Sequence, residues 1–408
     1  MKVISSIFKK LGYIRAAARS AWDDFWYTHA SPKTPSGVNV TASSAMKVSA
    51  FYACYNVIVQ TISTLPLILY ERLEDGKGKR RAIDHPLHGL FHGKPNKGMS
   101  TRLWLSLLQG HVLLRGNAYS EIVPGRRGAV DQLIPLNPDR ITVEQLEDNS
   151  LRYKYKDGRY NTERYIHQDQ MLHLRNSTLD GVMGLSTLAA ARRTIGHASA
   201  MDEYGDRVFT TGGTKRVVLI HPGSLDKSQS DRMGESWDSG YGGGENAHKT
   251  AVLEGGVKAE VIGMTAEDAQ LLDSKHLSIV DIARFFRMQP HKIQELQHAT
   301  YTNIEHQAIE FVVDTMLPWC RIWEETLNNA LLYDDRFYFE FLLDGLLRGD
   351  TPMRYTAYAK AIASGWMNRN EVRAKENMNP EDGLNEFLVP LNMVGQTERE
   401  KTNEGIIP

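Results

Sequence analysis

The chain has 408 residues, with 48 basic against 49 acidic side chains, a formal net charge of −1, 41% hydrophobic and 24% charged residues. That length exceeds one compact core and implies roughly two or three domains, while the ordinary composition excludes a disordered chain. The near-zero charge argues against a repressor-like or histone-like DNA binder, though not against a protein that DNA merely passes.

The amino-terminal stretch "MKVISSIFKKLGYIRAAARSAW" carries five basic residues and no acid. It lacks a signal-peptide core and reads as an arm or partner-docking segment rather than a helix lying on a membrane. Residues 28–45 are rich in Ser, Thr, Pro and Gly, the composition of a linker, so the folded body is expected from about Met46. An apolar helix then runs to Pro66 and into a strand. "RLWLSLLQGHVLLRGNAYSEIV" reads as a helix, a turn near Gly116 and a strand. Short strands follow as far as "MLHLR", and the Ala-rich segment 185–209 is helical. "KRVVLIHPG" is a strand, and "SLDKSQSDRMGESWDSGY" a polar helix with few core positions. No run of 18 apolar residues occurs, so no membrane span is expected. Cys54 and Cys320 sit in apolar stretches and read as buried thiols in a reducing compartment.

Residues 250–263 read as two strands about the Gly255-Gly256 turn. Thr265, with Asp268 three residues on, forms a capping box that opens a helix. Leu272, Ile279, Ala283 and Phe286 share one face of it, and Pro290 ends it. A loop of about a dozen residues follows, long enough to be functional. Thr302 and Glu305 form a second capping box. From Ile304 to Leu327 apolar residues keep helical spacing, and Pro318 within that pattern predicts a kink. Two short helices follow, punctuated by Gly365 and capped at Asn368 with Glu371.

Several stretches approach motifs that carry chemistry. "GGENAHKT", residues 243–250, approaches a phosphate-binding loop, but His248 stands where a glycine must let backbone amides close on a phosphate. His85, His88 and His92 have helical spacing without a supporting ligand cluster beyond Asp84. "GLSTL" lacks the closing glycine of a nucleophile elbow, and the intracellular reading gives "RGD", residues 348–350, no adhesive meaning. His291, His298 and His306 lie seven and eight residues apart, which forms no ligand pair. No catalytic residue, metal or cofactor is expected.

The order of the pieces resembles the portal (head–tail connector) proteins of tailed bacteriophages. The resemblance covers about Met46 to Gly383 and rests on five stretches in order: "GNAYSEIV" with "DQLIPLNPDRITV"; "DGVMGLSTLAAARRTI"; "HKTAVLEGGVKAEVIGMTAEDAQLLDSKHLSIVDIARFFRMQP"; "ATYTNIEHQAIEFVVDTMLPWCRIWEETLN"; and "LLRGDTPMRYTAYAKAIASGWMNRNEVRAKENMNPEDG". Thr187 departs from the family's usual proline, Gln289 from the start of a Val-Pro-Pro stretch, Gln294-Glu295 from Leu-Gly, and Asn368 from threonine.

The resemblance implies an α+β portal fold assembled as a ring, usually of twelve subunits, at one vertex of the procapsid. After an arm and linker (1–45) it implies a wing (46–223 and 302–345) and two stem helices (224–244 and 265–288). A small β clip (245–264), a tunnel loop (289–301), a helical crown (346–395) and a tail (396–408) complete it. The tunnel loop would present Gln289, His291, Lys292, Gln294, Glu295, Gln297 and His298 to DNA. The clip would meet partners through His248, Lys249, Glu254 and Lys258. Thr265, Asp268, Pro290, Thr302, Glu305 and Pro318 would be structural. Implied partners are further copies of the chain, the terminase large subunit, major capsid and scaffold proteins, head–tail adaptors and double-stranded DNA of any sequence, with no membrane. The implied location is the virion's portal vertex, after assembly in the host cytoplasm. The alternative reading is a packaging-associated ATPase or metal hydrolase.

Overall fold

The computed structural model describes residues 34–73, 78–125, 129–158, 162–210, 216–241, 253, 255–262, 266–295, 309–343, 345–346, 351–376 and 378–388. The chain is folded from Thr34, inside the stretch whose composition suggests a linker: Thr34 and Val40 are buried. Thr41 caps a short helix, α1 (Ala42–Ala45), with Ser44 closing a capping box. Small residues here supply caps as well as turns, which is why composition alone misreads them.

Helix α2 (Ser49–Thr64) buries Phe51, Cys54, Ile58 and Ile62, then yields at Leu65-Pro66 to β1 (Leu67–Arg72). Strand β2 (Lys79–Arg81) and helix α3 (Pro86–His92) lead to α4 (Thr101–Arg115), capped by Ser100 and buried on one face through Trp104, Leu105, Leu108 and Val112. Gly116 ends it in the left-handed region (φ 78°). Strands β3 (Asn117–Pro124), β4 (Val130–Leu136), β5 (Ile141–Gln145), β6 (Leu151–Lys156), β7 (Glu163–His167) and β8 (Met171–Arg175) form two antiparallel sheets, β4-β3-β8 and β5-β6-β7. Tyr119, Leu136, Leu151, Tyr153, Ile166 and Met171 form a shared core.

A polar knot fixes this region. Asn117 Oδ1 accepts Gly184 N–H (2.8 Å) and bonds His173 Nε2 (3.0 Å), while Asn117 Nδ2 donates to Gly184 O (3.1 Å). Because Asn117 Oδ1 can only accept, His173 Nε2 carries the proton, and its Nδ1 accepts from Tyr153 OH (3.1 Å). A Cβ on Gly184 would lie 2.1 Å from Gly116 O, so neither glycine tolerates a side chain. Two sequence stretches 60-odd residues apart thus meet backbone to backbone. Ser186 then caps α5 (Thr187–Thr210), donating to Leu114 O and accepting Ala189 N–H.

Strand β9 (Arg216–Ile220) leads to α6 (Lys227–Tyr241), and β10 (Lys258–Ile262) to α7 (Ala266–Phe285), which packs on α5. Strand β10 pairs antiparallel with β9, Lys258 opposite Ile220. The turn expected at Gly255-Gly256 is present, both with positive φ, but the partner shown is β9, forty residues upstream. Most of the expected partner, 250–253, lies outside the described residues.

A π-helical turn, Phe311–Met316, runs into α8 (Leu317–Leu331), with Pro318 in its first turn. The disturbance expected at Pro318 therefore takes the form of a widened turn just before it: a proline has no N–H to continue the ladder, and a π turn absorbs the mismatch. Phe311, Val312, Thr315, Trp323 and Leu327 are buried as the spacing predicts. Trp323 Nε1 donates to Gln109 Oε1 of α4 (2.8 Å), and its ring lies 5.6 Å from that of Trp104. Strand β11 (Phe337–Phe341) pairs with β1. On its other edge Asn328 and Glu324 of α8 accept the N–H groups of Phe339 and Phe341 (2.8 and 2.9 Å). That closes an edge which would otherwise offer itself for pairing.

A second compact unit comprises residues 304–309 and 343–408. Its described part holds α9 (Thr351–Ala363) and α10 (Arg369–Lys375). The expected capping box is present: Asn368 Oδ1 accepts Glu371 N–H, and Glu371 returns the bond to Asn368 N–H. Gly365 turns the chain between them at φ 72°. Asn370 and Arg373 tie α10 to the segment 379–385.

Candidate functional site

The segment after α7 is the candidate site, and its described half, 289–295, is built rather than loose. Helix α7 closes with Arg287 N–H on Arg284 O and Met288 N–H on Ala283 O. These two bonds define a Schellman ending, with Met288 and Ala283 both buried beneath it. Its left-handed position, usually glycine, is Arg287 (φ 52°). Thr315 Oγ1, from the π turn, donates to Arg287 O at 2.5 Å.

Residues Pro290–Ile293 then form a 3₁₀ turn, ended by Gln294 in the left-handed region (φ 66°), with Glu295 N–H on Pro290 O (3.1 Å). An unstructured loop was expected here. The proline fixes φ for a first helical position, and four residues complete the turn. Among the described residues only Asn149, Arg287 and Gln294 are non-glycine with positive φ. Two of those three bracket this turn, at a cost of about 1–2 kcal/mol each.

Side chains pin the turn on both sides. Gln289 Nε2 donates to Glu310. Lys292 Nζ lies 5.0 Å from the Phe311 ring centroid, and Glu295 is 3.5 Å from His276 of α7. Gln294 is exposed, and His291 is half-buried. Burial lowers the His291 pKa below the ordinary histidine value; Lys292 adds to that and Glu310 opposes it. At neutral pH the turn therefore carries Lys292 against Glu295 and no net charge. Beside it lies an open cleft of about 600 Å³ lined by Arg284, Arg287, Gln289, Glu310 and Asp314.

Of the seven residues expected to face DNA, then, Gln289, Lys292 and Glu295 have intramolecular partners. Gln297 and His298 lie outside the described residues, as do Thr302, Glu305, His306 and Thr265. Asp268 falls within α7, which begins directly after Thr265. Of the clip residues, Lys258 is exposed on β10, and His248, Lys249 and Glu254 are outside the described part. Sequence reasoning missed His276, Arg287, Glu310 and Phe311, the groups that hold the turn. Periodicity marks Phe311 only as a core position and no motif marks the other three, and a Schellman ending without glycine gives no sequence signal.

The other candidates resolve as structure. His85 Nδ1 accepts Leu87 N–H and so caps α3, while His88 and His92 stack at 3.9 Å. Among the described residues no three His, Cys, Asp or Glu side chains gather as metal ligands, and no helix is long and apolar enough to cross a membrane. Cys54 and Cys320 are buried, and burial pushes both thiols up to about 12. Neither is a nucleophile at neutral pH. Residues 243–250 lie outside the described part.

This combination defines a protein of mixed helices and strands, without a gathered metal-ligand set or a reactive thiol among the described residues. The chain belongs to the phage portal protein family, whose profile matches residues 49–377. It is 31% identical over 373 residues to the "Probable portal protein" of Streptomyces phage phiC31, covering 88% of this chain and 81% of that one. It is 29% identical over 374 residues to the "Portal protein" of Enterobacteria phage HK97, with 88% and 86% covered. Among solved structures, a chain from the virion of a native gene transfer agent particle shares the fold with a TM-score of 0.59 at 21% identity, over 83% of this chain and 94% of that one. An HK97-family phage portal protein from Corynebacterium diphtheriae does so at 0.54 and 15% identity, over 76% and 98%. These matches give no support to an ATPase or a metal hydrolase.

Proposed function

We propose that the protein assembles into a homo-oligomeric ring, a dodecamer by family precedent, that forms the DNA channel at one capsid vertex. Its role is structural rather than catalytic. It serves procapsid assembly with capsid and scaffold proteins, docking of the terminase large subunit, genome packaging, joining of head–tail adaptors and DNA ejection. The place of action is the virion, after assembly in the host cytoplasm.

The observation that carries the ring is helix α6. It is fifteen residues long, and none of its described side chains is buried. A polar helix of that length is marginal in water unless something packs on it. Neighbouring copies supply that packing. One solved relative at the fold level is described as the neck of a native gene transfer agent particle computed with C12 symmetry, TM-score 0.57.

Within the ring, residues 46–223 and 302–345 make the wing, 224–244 and 265–288 the stem, 245–264 the clip, 289–301 the tunnel loop and 346–395 the crown. The physical case for the tunnel loop is its polar, charge-neutral turn. Each phosphate neutralised by a cation strengthens binding through counterion release, so a conduit needs few unpaired cations. Lys292 is engaged by Phe311, and Glu295 offsets its charge. The DNA-facing groups are Gln294, which is exposed, and Gln297 and His298, which follow it in the sequence. Negative-stain images and native mass of the purified protein should show closed rings; a persistent monomer at high concentration overturns the ring. Gln297→Gly with His298→Gly should leave rings intact and impair packaging or DNA retention. Loss of the rings instead would make these residues structural.

A further inference from the structure

By spacing, α3 offers three histidines to a metal; the fold leaves two of them free for one. His85 serves the start of the helix: its Nδ1 accepts Leu87 N–H at 3.2 Å, and its ring lies 4.8 Å from that of Phe337. His88 and His92 stand one turn apart on the same face. Their rings stack with centroids 3.9 Å apart and planes 14° from parallel. His88 is half-buried and His92 exposed, so an ion from solvent can reach the pair.

The stack has the arrangement of half a metal site. The backbone of His88 hydrogen-bonds the His92 ring. A carbonyl acceptor takes one ring N–H and leaves the other nitrogen with its lone pair, which is how metal-binding histidines are oriented. Two nitrogens bound at about 2.0–2.1 Å to a tetrahedral ion lie about 3.3 Å apart. Rings already face to face at 3.9 Å need only a small closing rotation to meet that spacing. His92 closes the last turn of α3, where unpaired carbonyls favour a cation. The Arg81 guanidinium of β2 opposes one. That balance disfavours ions held by charge alone and leaves those that bond to imidazole.

We infer that His88 and His92 form a two-ligand site for a transition-metal ion of the copper(II), nickel(II) or zinc(II) class. Among the described residues no third His, Cys, Asp or Glu side chain gathers with them, so water completes the coordination. The bound ion clips the last turn of α3 and fixes the His92 ring.

The test uses the full-length chain, stripped of metal with a chelator and titrated calorimetrically. Copper(II) should bind more tightly than zinc(II), the order for nitrogen ligands, and magnesium, which takes oxygen ligands, should not compete. His88→Gln and His92→Gln should each weaken the tightest copper(II) phase at least about tenfold, since even a supporting group costs that much. The double variant should lack the phase, and His197→Gln, an exposed histidine of α5, should leave it unchanged. Zinc(II) should raise the thermal midpoint of the native chain and not of the double variant. Should the double variant melt lower without metal, His92→Gln alone, at an exposed position, carries the test. An unchanged copper(II) phase in the double variant overturns the proposal. So does a loss confined to one of the two single variants, which would make the site a single ligand rather than a pair.

Discussion

Helices α4 and α6 are both fifteen residues long, and the chain treats them oppositely. Helix α4 buries Trp104, Leu105, Leu108, Gln109, Gly110, Val112 and Leu113 against its own chain. Large apolar side chains contribute about 1.5–3 kcal/mol each on such burial. Helix α6 buries none of its described side chains and carries Gly234 and Gly240, each costing about 1 kcal/mol relative to alanine. One helix is stabilised within a subunit; for the other, the proposed ring is the source of packing. The contrast implies that subunit stability and assembly reside in different residues and are separable by mutation.

The largest expected effect is on the self-buried side. Trp323→Ala removes a fully buried ring and orphans Gln109 Oε1, costing about 3–5 kcal/mol. Urea unfolding should show that loss at every protein concentration. A cost under about 1 kcal/mol would mean the α4–α8 contact is not the core of the subunit. Gly234→Pro tests the other side. A proline inside a helix costs about 3 kcal/mol or more, so rings should be lost. The unfolding midpoint of the dispersed subunit should nevertheless stay within a degree or so, because α6 adds little to it. A large drop in that midpoint would collapse the comparison.

A smaller effect depends on pH and belongs to the self-buried side. His173 and His111 are both held below the ordinary histidine value, chiefly by burial; for His111 the value is about 4, with Asp139 opposing and Arg115 reinforcing the shift. Below about pH 6.5 the unfolded chain binds protons that the folded chain does not, so stability falls with pH. The fall starts near 6.5 and, for His111, ends near 4. Its slope is at most about 1.4 kcal/mol per pH unit for each histidine. His111→Gln should remove one proton from that slope in urea titrations at pH 7.5, 6 and 5. An unchanged slope would show that His111 is not held neutral.

What the sequence revealed follows the same division. Order and type of the self-buried elements were legible because apolar spacing reports burial: Phe51 to Ile62, Trp104 to Val112, and Phe311 to Leu327 are where the periodicity puts them. Punctuation was legible where it has one physical meaning, as at Pro66, Gly116 and Asn368. The site was not legible in the same way. Gln289, Lys292 and Glu295 read as free polar groups, yet each is held by a residue from another element: Glu310, Phe311 and His276. Such long-range pairings leave no local period. The pairing of β10 with β9 escaped for the same reason, since a Gly-Gly turn says nothing about which strand lies across it.

The smallest effect concerns the turn that follows helix α7. Gln294 holds φ 66° and ψ 23°, a conformation that an L side chain adopts at a cost of about 1 kcal/mol and glycine adopts freely. Gln294→Gly relieves that strain but gives the unfolded chain more freedom, which returns about 0.5–1 kcal/mol. The net change should lie between zero and about 0.5 kcal/mol of stabilisation. Gln294→Ala keeps the strain without adding that freedom, so it should match the native chain, with the glycine variant above it by at most about 0.5 kcal/mol in urea unfolding. The native glutamine is then kept for a reason other than folding. An exposed amide at the edge of a charge-neutral turn offers hydrogen bonds without ionic grip. If Gln294→Gly packs and retains DNA as well as the native chain does, that reason fails, and Gln294 becomes a tolerated departure in a turn held by its neighbours.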